Sequence, residues 1–139
     1  MAPIENVGAH RAHQHKALEA SRKVFETVHE TWNKKFRRKY SLVEGYKTKG
    51  ADTVIVIAGS QAATAKAAAD TLQGVGVLKI RCTNPFPHAD IQKELEGIKH
   101  VAVVDQAFVP GHGGLLHTKL ASHASCSSFI AYKHLSEKD

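Results

Sequence analysis

The sequence predicts an α/β fold: a mostly parallel sheet with helices on both faces, preceded by a long N-terminal helix. Three observations carry that reading. Runs 52–58, 75–82 and 101–105 are short, rich in β-branched and aliphatic residues, and apolar on both faces, as buried parallel strands are. Segments 61–72 and 89–95 lie between them with helical period, so strand and helix alternate as crossover units require. Ahead of all of these, residues 14–37 repeat apolar side chains at spacings of mostly three, four and seven.

Taken in order, Ala17, Leu18, Val24, Phe25, Val28, Trp32 and Phe36 share one face of the leading helix. Lys34, Lys35, Arg37, Arg38 and Lys39 gather at its C-terminal end, where cations oppose the negative pole of the helix dipole. The helix is predicted to stop near Lys39. Residues 41–50 read as a linker, which divides a helix-and-linker segment, 1–50, from an α/β domain, 51–139, within one structural unit. After the first strand, Gly59 makes a tight turn and Ser60 is placed to cap the following alanine-rich helix. Residues 113–124 predict one more helix and 128–132 a last strand.

A chain of 139 residues suits one domain with a sizeable core. Its two cysteines, Cys82 and Cys126, have neither CxxC spacing nor a disulfide framework and read as small apolar residues in a reducing compartment. The first residues lack the apolar core of a secretory signal, and no apolar run reaches membrane-spanning length, so a soluble cytoplasmic protein with no membrane partner is expected. The net charge of +6 permits acidic partners without naming one.

Several stretches invite chemical readings. VIVIAGSQAATAKAAADTL has the strand, turn and helix layout of an anion site at Gly59 and Ser60, but neither a Walker A loop nor a dinucleotide fingerprint is present. The structural reading is preferred. Ten histidines, among them His10, His13, His15, His112, His117 and His123, lack the i, i+4 pairing and third ligand of a metal site. The first three read as solvated side chains near a flexible start. NKKFRRKY interleaves cations with aromatic residues, as nucleic-acid binding needs, but Trp32 and Phe36 belong to the apolar stripe and are expected to be buried against the sheet. Nucleic-acid binding is therefore disfavoured.

AGSQAATAKAAADTL, VGVLKIRCTNPFP and KHVAVVDQAFVPGHGG, in this order, resemble domain II of the pyruvate:ferredoxin (2-oxoacid:ferredoxin) oxidoreductase alpha subunit, and HKALEASRKVFETVHETWNKKFRRKYSLVEGYKTKGAD resembles the lead-in to it. The likeness covers about residues 10–120. It implies a three-layer transketolase C-terminal-like fold and a non-catalytic structural and assembly role in a larger enzyme. That enzyme would use thiamine diphosphate, magnesium and iron–sulfur clusters, with other subunits or domains as direct partners and ferredoxin as an indirect one. No cofactor is expected in this chain: it has no GDG motif followed by an Asn-rich segment, and two separated cysteines cannot supply a four-thiolate cluster. The isolated chain is accordingly expected not to turn over, and no catalytic or metal-binding residue is assigned. Where family members often read Asp-Arg, this chain has Asp105-Gln106.

Two loops are candidate contact surfaces. Asn84, Pro85, Phe86 and Pro87 follow a strand, and their prolines fix the backbone around an apolar side chain. The preferred reading there is a rigid strand-to-helix turn with Phe86 in the core, and the contact surface is its functional alternative. Pro110, Gly111, His112, Gly113 and Gly114 form the second loop, expected on the same sheet edge. Other readings are a free-standing small-anion or nucleotide binder using Gly59 and Ser60, and a basic nucleic-acid binder using residues 34–39.

Overall fold

A computed structural model describes residues 6–122 and 124–131. They fall into two compact units: residues up to Leu42 with Cys82–Pro87, and Val43–Arg81 with residues from His88 onward.

The first unit is built on α1, Val7–Phe36, a helix of 30 residues. It begins before the predicted start, at Val7, where Ala9, Arg11 and Ala12 favour helix although Gly8 does not. His10, His13 and His15 therefore stand exposed on a helix rather than on a flexible start. The helix ends before Lys39, where Arg37 turns left-handed at φ 51°. The Asn33 side chain stabilises that exit, donating to the Tyr40 carbonyl at 2.8 Å and accepting the Tyr40 N–H at 2.7 Å. No residue of α1 is buried, and Trp32 and Phe36, expected in the core, are each 46% exposed. Helical period identifies which residues share a face; it does not say what covers that face.

The second unit contains β1 (Val43–Tyr46), β2 (Thr53–Ala58), α2 (Ala62–Thr71), β3 (Val75–Ile80), α3 (His88–Leu95), β4 (His100–Asp105), β5 (Phe108–Val109), β6 (Gly113–Gly114), α4 (Leu115–Ala121) and β7 (Ser127–Ile130). Five strands form one sheet in the order β1-β3-β2-β4-β7; β5 and β6 form a separate hairpin. The pairs β2–β3, β2–β4 and β4–β7 are parallel, and β1 runs antiparallel along β3. The presumed linker 41–50 thus holds an edge strand, which Gly45 and the short run VEGY concealed. Likewise, the helix predicted over 113–124 gives up its two glycines to β6.

Register sorts the core into two layers. Ile57 and Val77 face α2 through Ala62 and Ala69, small side chains that let the helix lie close to the sheet. Val54, Val56, Leu78, Val101 and Val103 point to the other face, with Ile91 of α3 and Leu116 and Leu120 of α4 completing the buried set. Right-handed crossovers require this division, because β2 steps to β3 in one direction while β3 steps to β4, and β4 to β7, in the other.

An ion cluster fastens β1 to its neighbours. Glu44 of β1 pairs with Lys66 of α2 at 2.5 Å and with Arg81 beyond β3. Hydrogen bonds from Lys66 and then Arg81 hold the Glu44 carboxyl well below the ordinary carboxylate value of 4.5, at about 2. Because the folded value lies below the unfolded one, this contribution to stability is fully present above about pH 4.5 and is lost as pH falls through about 2. Glu44→Gln should lower the urea midpoint at neutral pH. The gap between variant and parent should then close between pH 4.5 and 2, as denaturation curves across that range would show. A pH-independent gap would assign the loss to packing alone.

Candidate functional site

The best-defined polar site lies where β4 ends. Asp105 is 5% exposed, and its carboxylate accepts the backbone N–H of Leu116 at 2.9 Å and of His117 at 2.8 Å. These donors belong to the first turn of α4, whose own N-cap, Gly114, has no side chain with which to satisfy them. A distant carboxylate therefore caps the helix and opposes its positive pole. The Asp105 backbone carbonyl also accepts the Ala131 N–H at 2.8 Å, at the end of β7.

This arrangement sets the β5–β6 hairpin. Its turn closes through the His112 N–H donating to the Val109 carbonyl at 2.9 Å, with Pro110 supplying a fixed φ and Gly111 the left-handed φ of 80°. Thr118 of α4 donates to the carbonyls of Gly114 at 2.8 Å and His112 at 3.1 Å, tying the turn to the helix. Gly114 is buried against Asp105, and a Cβ there would collide with the carboxylate. On this frame Phe108, Val109 and Leu115 are 49%, 40% and 50% exposed. Phe108 and Leu115 escaped the sequence reading; the only signal was two large apolar residues flanking a Pro-Gly turn. His112 is exposed and Gly113 half-buried.

Asn84, Pro85, Phe86 and Pro87 fall in the other unit, so the two predicted loops are parts of different bodies. Pro85 and Pro87 are the fully buried members of that loop, Phe86 is half-buried, and Asn84 is exposed. The Asn84–Pro85 bond is cis. The core position foreseen for Phe86 is occupied instead by the two prolines, which carry no backbone donor to satisfy. The Cys82 N–H donates to the Leu42 carbonyl at 3.2 Å, and its thiol lies 3.3 Å from the Asn84 carbonyl and 3.4 Å from that of Pro85. Asn84 also borders a groove along Arg11, Gln14, His15, Leu18 and Ser21 of α1.

Gly59 takes the positive φ of 80° that its turn requires. Ser60 is not a side-chain cap: Gln61 holds the N-cap position without a capping bond, and it is the Ser60 carbonyl that accepts the Ala63 N–H at 3.2 Å. A groove of about 460 Å³ runs between α3 and α4, lined by Ile91, Gln92, Leu95, Glu96 and Leu120.

The two cysteines do not fit a four-thiolate iron–sulfur cluster, one of the groups the family resemblance implies for a parent enzyme. Cluster ligation needs four thiolates where this chain has two cysteines, and burial pushes the Cys126 thiol up, favouring its neutral form. Among the described residues no group of three or more His, Cys, Asp or Glu side chains is placed to hold a metal ion, and no helix is long and apolar enough to cross a membrane.

One antiparallel edge strand on an otherwise parallel sheet, with helices on both faces, defines a transketolase C-terminal-like domain. Comparison with known proteins makes the assignment specific: the chain belongs to the family described as pyruvate:ferredoxin oxidoreductase core domain II, whose profile matches residues 51–137. It is 34% identical over 111 residues to pyruvate synthase subunit PorA of Methanothermobacter thermautotrophicus, covering 77% of this chain and 29% of that protein. The PorA subunit of Methanocaldococcus jannaschii is 38% identical over 114 residues, with the same two coverages. Ketoisovalerate oxidoreductase subunit VorA of Pyrococcus horikoshii is 35% identical over 109 residues, covering 75% of this chain and 28% of that one. The chain thus spans less than a third of the length of the curated relatives it matches.

Asp105→Ala leaves two helix donors without their acceptor and should cost about 3 kcal/mol in urea unfolding. Gly114→Ala should also destabilise the domain by about 1–3 kcal/mol. In the double variant the two losses should sum to more than the measured loss, because part of the clash leaves with the carboxylate. Strict additivity would separate Gly114 from Asp105.

Proposed function

We propose that the chain acts as a non-catalytic assembly domain within the alpha subunit of a cytoplasmic, thiamine-diphosphate-dependent 2-oxoacid:ferredoxin oxidoreductase. It shapes the enzyme around a thiamine site held elsewhere and meets ferredoxin only indirectly. The observation that carries the reading is the exposed apolar hairpin: Phe108, Val109 and Leu115 stand on a turn immobilised by Asp105 and Thr118. A pre-organised apolar surface binds without the entropic cost of ordering it, as subunit contacts require. Pro110, Gly111 and His112 extend this surface, with half-buried Gly113 and buried Gly114 beneath them, and Asn84 with half-buried Phe86, braced by buried Pro85 and Pro87, supplies a second one. Family membership favours assembly over a free-standing anion or nucleotide binder at Gly59 and Ser60, and over a nucleic-acid binder.

The test is affinity capture of the tagged chain from its native cell extract, with retained proteins identified by mass. Thiamine- and cluster-bearing subunits should be recovered, and Phe108→Asp should reduce that recovery at least tenfold while circular dichroism stays unchanged, in keeping with the loss of an interface anchor. Phe86→Asp should weaken recovery in the same way; if it unfolds the chain, Phe86 is a folding residue and the second surface falls. Failure of the wild-type chain to retain those subunits would overturn the assembly reading.

A further inference from the structure

The two edges of the five-stranded sheet are built differently. At one edge β1 carries Glu44, held by Lys66 and Arg81, and Lys47 follows it with a left-handed φ of 52°, so charge and a turned backbone discourage further pairing. At the other edge β7 pairs, among the described residues, with β4 alone. From Ala124 to Ala131 there is no charged residue, proline or glycine, although the chain carries +6. Phe129 stands 55% exposed there. The ladder also fixes which backbone groups are used. The Ala131 N–H donates inward to the Asp105 carbonyl. Because backbone groups alternate along a strand, those of Phe129 also turn toward β4, while the N–H and C=O of Ser128 and Ile130 point outward.

We infer that β7 pairs antiparallel with β7 of a second copy of this chain, joining two five-stranded sheets into one. The inference goes beyond the assembly reading and does not depend on it. An open ladder takes an extended strand as its occupant, because that conformation presents backbone donors and acceptors at matching intervals. The unit built on α1 has no strand to offer among its described residues, however it sits. A second copy has one. A two-fold axis perpendicular to the sheet, passing between the two Phe129 residues, sets Ser128 of each chain opposite Ile130 of the other, so that each pair exchanges two backbone hydrogen bonds. The same axis makes Phe129 and its copy the central pair without hydrogen bonds, where antiparallel side chains lie closest. Phe129 is in register with Val104, so both rings fall on the α2 face of the joined sheet. Charge selects a like strand, since neither an acidic nor a basic segment finds a counter-charge between Ala124 and Ala131. Pairing then stops at the dimer, whose two outer edges are the charged β1 strands.

Sedimentation of the full chain should show monomer at low concentration and dimer at high, with added salt favouring the dimer because it screens the like net charges of the two copies. Amide exchange should slow at Ser128 and Ile130 as the dimer forms. Ser128→Pro removes an outward donor and no bond to β4, and Phe129→Lys sets two cations against each other at the axis. Each should weaken association roughly tenfold or more with circular dichroism unchanged. If Ser128→Pro unfolds the chain, Phe129→Lys decides. A chain that stays monomeric up to about 1 mM would overturn the inference. So would a dimer that survives Phe129→Lys, a dimer that Phe108→Asp abolishes, or a monomer that associates only once residues 132–139 are removed, since that segment would then occupy the edge. If the dimer forms while thiamine- and cluster-bearing subunits are not retained, the pairing stands and the assembly reading falls; if a chain that stays monomeric retains them, the reverse holds.

Discussion

The carboxylate of Asp105 is the constraint on which the second half of the sheet unit depends. One side chain at the end of β4 accepts two donors from the first turn of α4, and its backbone carbonyl accepts a third from Ala131. Buried donors without acceptors are costly, so the start of α4 has little freedom to move away from the end of β4. The hairpin between them must close within that fixed span, which accounts for the Pro-Gly turn and for the absence of a side chain at Gly114. A helix of seven residues has little intrinsic stability, and an external cap makes its position a property of the sheet.

The other edge of the sheet is held differently. There β1 is short and has strand β3 on one side only, and Glu44 adds contacts to α2 and to the end of β3 through two cations. Partly exposed pairs of this kind contribute modestly, so they reinforce register more than they drive folding. The apolar layers provide the drive, with Val54, Val56, Val77, Leu78 and Val103 excluded from solvent.

Much of this was legible in the sequence, because buried parallel strands announce themselves as apolar runs and crossover helices as a change of period. The three strands 53–58, 75–80 and 100–105 and the helices between them lie close to where those runs placed them. Strand β1 was not legible, since VEGY has one apolar residue before a carboxylate and a glycine, and its pairing with β3 is a long-range event. The cap at α4 was hidden for the same reason: local rules look for a capping side chain next to the helix, and Asp105 lies ten residues before Leu115. The exposure of Trp32 and Phe36 shows the limit of periodicity itself, which is blind to whether the partner of a face lies in the same chain.

The two exposed apolar surfaces differ in how they would gain affinity. Phe108, Val109 and Leu115 ride on a turn whose carbonyls and helix donors are already paired, so a partner meets a rigid shape and little ordering free energy is lost. On α1 the side chains beside the stripe already have partners, Arg22 with Glu26 at 3.2 Å and Lys35 over the Phe36 ring, so binding there would first displace them. Electrostatic attraction acts before contact and sets approach and orientation, whereas shape complementarity acts only at contact and governs dissociation. A hairpin already fixed by the cap at Asp105 thus offers its apolar side chains in a set geometry before any contact is made.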